Sequence, residues 1–451
     1  MTPQKSNTIS MDVLRPNAAG IDIGATSNYV ALPPDRNQAI REFGSFTCDL
    51  NQLADWLLDH SITTVAMEAT GVYWIPLFQI LEDRGLEVFL VNAHHVKAVP
   101  GRKSDVKDCQ WLQHLHSVGL LKASFRPQQE IVAIRSLARN RAKLVRYATQ
   151  HVHHMQKSLT QMNIQLHHVI SDITGVTGLA IIDAIISGQY EPSTLAELKD
   201  RRIKASKETI AKALKGDYRP EHLFTLRQAR EALRFTERQI SECDAEIERN
   251  LREFTVSGEE PRPSKVERAN SHKKLRLRSG RDHIIHAEMI KAFGIDLFEL
   301  PGFATDTVLT AFTEVGTNFG KFRSAAAFAS WLALCPDNKI TGGKVRSTKT
   351  RQTKSRLAAA LRQAACSLAN AKSYYGDLYR RLRAKFGAPK AVTATANKLA
   401  RLLYHLVTTK QEFDDSKFAE VNAKYAQRQL AGLKKKARSL GYTLLPNEQP
   451  A

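Results

Sequence analysis

The sequence predicts an α/β domain of about 125 residues followed by an almost wholly helical remainder. Three observations predict it. Short strand-like and helix-like stretches alternate over the first part of the chain. From about residue 130 the apolar spacing changes from two to three and four, the helical period. A polar, Pro-containing and strongly basic stretch at 257–282 then separates two helical parts.

Residues 19–23 and 28–32 read as a hairpin of short strands around 24–27, and 41–46 supplies a third strand. Residues 53–58 are helical by spacing. Residues 64–68 form a short β-branched strand that ends in an acid. Residues 74–84 form a helix with Leu77, Ile80 and Leu81 on one face. The run LEVFLVN at 86–92 is a buried strand. Residues 105–115 form a helix, with Ser104 placed to cap it. Three strands, then helix, strand, helix, strand, helix, is an α/β layout.

In the helical middle, Ala148, Val152, Met155, Leu159 and Met162 recur at spacings of four and three. Leu226, Leu233, Ile240 and Ile247 recur every seven, with Ala229, Thr236 and Cys243 between them. Two readings of that seam stay open. It is a coiled coil between two copies, which implies a dimer, or a bundle helix packed in its own domain. The expected division is an α/β domain at 15–128, a helical bundle or coiled-coil connector at 129–256, a basic linker or arm at 257–290, a helical domain at 291–410 and a basic tail at 411–451. The tail carries Lys434, Lys435 and Lys436 and is expected to be loosely ordered. Residues 173–185 and 300–312 echo one another as apolar residue, Gly-containing turn and apolar helix. Both are similar to the helix-hairpin-helix element that offers free N–H groups to a phosphate. A plain helix hairpin is the better reading of the first copy, and the second stays open.

The 451 residues carry 66 Lys and Arg against 45 Asp and Glu, a net charge of +21. Such a balance points to a polyanion partner. The cations cluster. Eight lie between Arg262 and Arg281 with one acid, Glu267, and eight between Lys339 and Arg362 with none. Runs of this kind neutralise phosphates and make affinity fall with salt. The five cysteines, at 48, 109, 243, 335 and 366, are scattered and form no Cys-x-x-Cys pair. That argues against a zinc finger or a disulfide frame and for reduced thiols. No apolar run approaches the ~18 residues of a membrane span, and the first ten residues have no apolar signal core. The expected location is the cytoplasm of a bacterial or archaeal cell, with the nucleoid.

Four acids stand at suggestive places. Asp22 sits mid-strand between Ile21 and Ile23, where a carboxylate is costly without a partner or a metal. Glu68 ends its strand before the turn Ala69-Thr70-Gly71. Asp105 and Asp108, three apart at a helix start, project from one face; the alternative reading is that they are simply favourable charges at a helix N-terminus. Such oxygen ligands suit Mg²⁺ or Mn²⁺. A pair of such ions can activate an attacking oxygen and stabilise a leaving one at a phosphodiester.

These residues also carry a resemblance. GIDIGATSNYVALP, VAMEATGVYW and VNAHHVKAVPGRKSDVKDCQWL together resemble the RuvC-like, ribonuclease-H-like nuclease domain of the DEDD transposases of insertion sequences of the IS-one-ten and IS-eleven-eleven types. The stretch from Leu300 through LALCPDNKITGGKVRSTKTR to about Asn370 resembles their second, transposase domain. The resemblance covers most of 15–130 and 295–410. It implies that Asp22, Glu68, Asp105 and Asp108 are the metal ligands. It implies a serine nucleophile in the C-terminal domain that holds the DNA strand covalently. It further implies a homo-oligomer working on donor and target DNA with a structured guide RNA, the RNA supplying sequence choice.

The chain departs from that pattern at the nucleophile. Where the family has a serine before a Gly turn, this sequence has Thr341, in Pro336-Asp337-Asn338-Lys339-Ile340-Thr341-Gly342-Gly343. A threonine hydroxyl can attack, although its methyl crowds an in-line approach; Thr341 also has a plain use in shaping the Gly-Gly turn. Ser347 is the alternative. Lys344, Arg346, Lys349 and Arg351 surround either hydroxyl and suit a phosphate. The expected nucleic-acid-binding residues are these four with Arg262, Lys265, Arg268, Lys273, Lys274, Arg276 and Arg278. His94 and His95, and His151, His153 and His154 on a helix, read as structural or RNA-contacting. Trp74, Trp111 and Trp331 read as packing. Two other functions compete. GIDIGATS resembles the first phosphate loop of actin-like ATPases, but no second Gly-rich loop follows. A non-catalytic nucleic-acid-binding protein explains the charge and leaves the acids without a role.

Overall fold

The first three strands, β1 (Ala18–Ile23), β2 (Ser27–Ala31) and β3 (Ile40–Gly44), form an antiparallel meander. They belong to a computed structural model that describes residues 12–36, 39–69, 71–92, 105–256 and 280–444. The β1–β2 turn closes tightly, with the Gly24 N–H donating to the Ser27 carbonyl at 2.9 Å. Helix α1 (Thr47–Asp59) follows, its start held by the Asp49 carboxylate, which accepts from the Phe46 N–H. Then come β4 (Thr64–Glu68), α2 (Trp74–Asp83), β5 (Glu87–Val91) and α3 (Asp105–Ser117). The sheet order is β3-β2-β1-β4-β5, with β1, β4 and β5 parallel. This mixed sheet with flanking helices fits the ribonuclease-H-like expectation.

The sheet buries both faces, as strands joined by helical crossovers do. On one face Ile21, Ile23, Val30, Val65 and Met67 pack with Leu53, Leu57, Leu77 and Leu81 of α1 and α2. On the other, Ala66 and Val91 pack with Leu112 of α3. Burial, together with the charge of Arg15, pushes His116 down to about 4. The neutral ring lies against Thr64, with Nε2 2.9 Å from Oγ1, and fixes the end of α3 to the sheet. Trp74 and Trp111 pack against these cores, as expected of them.

Contacts divide the chain into two units, Met1–Arg126 and Pro127–Ala451. The second opens with α4 (Gln129–Gln161) and continues through α5 (Leu166–Val169), α6 (Val176–Ile186), α7 (Pro192–Glu197), α8 (Lys207–Ala213) and α9 (Pro220–Val256). Helices α4 and α9 run antiparallel, since Asn140 meets Cys243 while Ser158 meets Thr225. Met155, Leu159, Met162, Leu226, Ala229 and Leu233 share one buried cluster. Of the two readings of the seam, the intrachain one is therefore realised, and its apolar residues are used inside the bundle.

The remainder holds α10 (Gly280–Phe293), α11 (Thr305–Val315), α12 (Ala325–Trp331), α13 (Arg356–Ser367), α14 (Tyr374–Phe386), α15 (Ala388–Thr409) and α16 (Ala419–Ser439). Ser324, Ser355 and Ser373 cap three of them with their side chains. Phe293, Phe312, Phe319 and Phe328 are fully buried. Glu314 of α11 accepts from Arg135 and Arg139 of α4 at 2.9–3.1 Å, tying these helices together. Glycines in both copies of the internal echo serve close packing. A Cβ at Gly178, in the first turn of α6, would lie 2.3 Å from the Ile173 carbonyl, and one at the turn residue Gly302 2.6 Å from the Ala364 carbonyl.

The last domain is mainly helical, as expected, and carries one short hairpin, β6 (Lys339–Thr341) and β7 (Lys344–Ser347). One sequence expectation changes here. The tail is not loose throughout, because 419–439 is α16. The basic stretch 257–279 lies outside the described residues. Among the described residues no helix is long and apolar enough to cross a membrane.

Candidate active site

The four acids stand on two strand ends and one helix start. In the parallel pair β1–β4, Gly20 stands opposite Ala66 and Ile21 opposite Met67. One more step in that register sets Asp22 beside Glu68, on strands about 4.8 Å apart. Both acids lie at the carboxyl ends of their strands, where open α/β sheets place their ligands. Side chains alternate between faces. Ile21, Ile23, Val65 and Met67 point into the core under α1 and α2, so Asp22 and Glu68 take the face that α3 covers. Glu68 is buried at 8% exposure, while Asp22 and Asp108 are half-buried.

Helix α3 runs antiparallel to β1. The Ser117 carbonyl accepts from the N–H groups of Leu14 and Arg15, and Gln113 Nε2 donates to the Ala18 carbonyl at 3.2 Å. Farther along, the backbone of α3 lies on Gly20. A Cβ there would sit 2.3 Å from the Cys109 carbonyl oxygen and 2.3 Å from the Gln113 nitrogen. On this course the first turn of α3 reaches the end of β1 that carries Asp22. The electrostatics of Cys109 report the same neighbourhood. Burial, together with the nearby charges of Asp22 and Asp108, pushes its thiol up to about 12. Asp105 opens α3 by its backbone; its side chain, with Ser104, His94 and His95, lies outside the described residues.

Asp22 and Glu68 thus lie toward the carboxyl ends of β1 and β4, and Asp108 on the first turns of α3, which packs on the same sheet face. Among the described residues, no three His, Cys, Asp or Glu side chains stand close enough together to hold a metal ion. The chemistry of the donor set nevertheless fits a hard divalent ion. The acids offer carboxylate oxygens, and Cys109, kept as a neutral thiol, adds no soft ligand. Sequence reasoning singled out the acids and gave no sign of Gly20 and Cys109, where α3 approaches β1 most closely. One consequence is direct. With native protein, iodoacetamide modifies the exposed Cys48 and Cys366 and leaves the buried Cys109 untouched until the domain unfolds. Mass spectrometry of the alkylated peptides checks this; early labelling of Cys109 would contradict the packing of α3.

The hairpin carries both proposed hydroxyls. Thr341 pairs with Lys344 across a two-residue turn. Gly342 and Gly343 take φ of +56° and +73°, the left-handed pair that such a turn requires. A register shift follows, and Lys339 pairs with Ser347. Thr341, Lys344, Arg346 and Lys349 are exposed and Ser347 is half-buried. Ser347 Oγ accepts from the Lys349 N–H at 3.3 Å. Arg351 donates to the carbonyl and hydroxyl oxygens of Ser330. Thr341 thus projects into solvent beside a lysine, and Ser347 is tied to its own strand. The Gly-Gly pair flanked by Ile340 and Val345 is a hairpin signal. Of the histidine trio, His151 and His154 lie 6.2 Å apart between ring centroids on α4. Trp331 stacks on Phe328 at 6.1 Å and 19°. Arg262, Lys265, Arg268, Lys273, Lys274, Arg276 and Arg278 fall outside the described residues.

Residues 19–164 match the family model of the DEDD transposase domain of the IS110 type, described as a transposase. Residues 296–380 match the model described as the transposase IS116/IS110/IS902 family. The first match contains all four acids, and the second contains Thr341 and Ser347. No curated protein matches the chain.

Proposed function

Since the chain belongs to the IS110 family of DEDD transposases, a DNA transposase or recombinase, we propose that it cuts and rejoins DNA strands through a hydroxyl-linked intermediate with the help of Mg²⁺ or Mn²⁺. The observation that supports this reading most is the register that sets Asp22 beside Glu68, at the sheet face covered by α3. Asp22, Glu68, Asp105 and Asp108 would hold the ion. Bound there, it supplies charge neutralisation at the phosphodiester and lowers the barrier to attack.

The chain's own residues do the rest. The Thr341 oxygen bonds to a DNA phosphorus, and the bond from that phosphorus to the adjoining strand breaks. The threonine proton leaves to base, and the displaced strand's oxygen takes one up. One phosphodiester replaces another, so no nucleoside triphosphate is needed. Attack by the incoming strand's hydroxyl reverses these bonds and frees the threonine. Lys344, opposite Thr341, holds the phosphate as a point charge. Ser347 is the second candidate for the same role. A structured guide RNA supplying sequence choice, and a homo-oligomer, complete the proposal.

Incubation of purified protein, its co-purifying RNA and element-end duplex DNA tests it. Strand cleavage is expected with Mg²⁺, absent with a chelator and restored by Mn²⁺. Cleavage unaffected by chelation would overturn the role of the acids.

A further inference from the structure

Helix α16 concentrates cations that are not paired. Several arginines on the other long helices are paired: Arg139 with Glu314, Arg141 with Asp244, Arg230 with Asp183 and Arg249 with Glu246. On α16, Arg428, Lys434, Lys435, Lys436 and Arg438 are all exposed and, among the described residues, none forms an ion pair. The helix has a single acid, Glu420, near its start. From Gln427 to Ser439 every side chain is exposed except Ala437, which is half-buried. The helix is nevertheless anchored. Phe418, just before it, stacks on Tyr374 with ring centroids 4.4 Å apart and planes 12° apart.

The spacing sorts the cations. Arg428, Lys435 and Arg438 stand seven and three residues apart, which puts them on one helix face. Lys434 and Lys436 flank that face. Leu430, Leu433 and Leu440 fall on the opposite side, all exposed. The result is a helix anchored at one end, whose cationic face meets no counter-charge among the described residues.

We propose that α16 is a docking element for duplex DNA, its cationic face set against the sugar–phosphate backbone. Charge complementarity selects this occupant. On the cationic face itself, a second copy of α16 would set Arg428, Lys435 and Arg438 against the same cations, whereas a duplex offers about one negative charge per 1.7 Å of its axis. The choice of DNA rests on the transposase reading, in which DNA is present at every turnover. Contacts of this kind hold and orient the duplex without reading its sequence.

The test measures binding alone, without divalent metal, so a failure of the cleavage chemistry leaves it intact. Full-length protein is titrated against a labelled duplex of about 30 base pairs over a range of salt. The five-fold variant R428Q/K434Q/K435Q/K436Q/R438Q is compared with wild type and with a control in which each Lys and Arg is exchanged for the other. The slope of log affinity against log salt is expected to shrink by about 4 in the Gln variant, at ~0.9 per lost phosphate contact, and to be kept in the exchange control. An unchanged slope overturns the proposal. So does a slope that shrinks for single-stranded RNA and not for the duplex. Loss of self-association in Leu430→Gln/Leu433→Gln, beside a duplex slope untouched by the Gln variant, would assign α16 to a second copy instead.

Discussion

Replacing Asp22 by Asn is expected to lower the rate of DNA strand cleavage by about a thousand-fold while leaving the fold intact. The substitution keeps the volume of the side chain and removes its charge. On β1 the residue stands between Ile21 and Ile23, which face the opposite core, so the exchange does not disturb that packing. On the proposed reading, what is lost is one anionic oxygen of the set that would hold a divalent ion. Electrostatic groups at such sites contribute about 3–4 kcal/mol to the transition state, and 1.36 kcal/mol is a factor of ten. Duplex affinity without metal should hold or rise slightly, because a negative charge has been removed. Single-turnover cleavage at saturating DNA, with thermal melting as a control, measures it. A variant that retains a tenth of the wild-type rate would remove Asp22 from the site.

Gly20→Ala should be nearly as damaging, by a different route. A Cβ at position 20 meets two backbone atoms of α3 at 2.3 Å, and backbone cannot rotate away as a side chain can. Ordinary contact begins near 3.4 Å, so α3 must withdraw by about 1 Å. Overpacking of this kind costs about 3 kcal/mol. Because the first turn of α3 carries Asp105 and Asp108, the shift also moves these acids, and if they act as proposed, a displacement of this size at a reacting centre costs about a hundred-fold in rate. Gly432→Ala is the control. It lies on exposed α16 with nothing within 4 Å of the added carbon, and Ala is the better helix former by about 1 kcal/mol. Thermal unfolding of both variants should move in opposite directions. An unperturbed melt and full activity in Gly20→Ala would contradict the close approach of α3 to β1.

How far the sequence reveals this site depends on the range of the interaction. Asp22 is conspicuous by itself, since an acid in an apolar strand needs a reason. The alternation of strand and helix likewise locates Glu68 at a strand end. Gly20 gives no local sign of its importance, because its neighbours Cys109 and Gln113 lie about ninety residues away. The heptads of 226–247 show which face of α9 is apolar but not what covers it. A periodic stripe does not distinguish α4 of the same chain from a second copy. The turn at Thr341 was legible from its Gly-Gly pair, whereas the strands on either side, three and four residues long, are too short to show an alternating pattern. The C-terminal lysines misled. Charge suggested looseness, while the run from Ala419 to Ser439 contains a single glycine and no proline and forms a helix.

The central claim, a hydroxyl-linked DNA intermediate that depends on the acids, is tested most directly by a denaturant-resistant protein–DNA adduct. Wild-type protein with element-end DNA, its RNA and Mg²⁺ is run beside Thr341→Ala, Ser347→Ala and Asp105→Ala. The account predicts an adduct in wild type and in Ser347→Ala, and none in Thr341→Ala or Asp105→Ala. Nicking without an adduct in the wild-type protein would mean that water is the nucleophile, and would contradict the hydroxyl chemistry altogether.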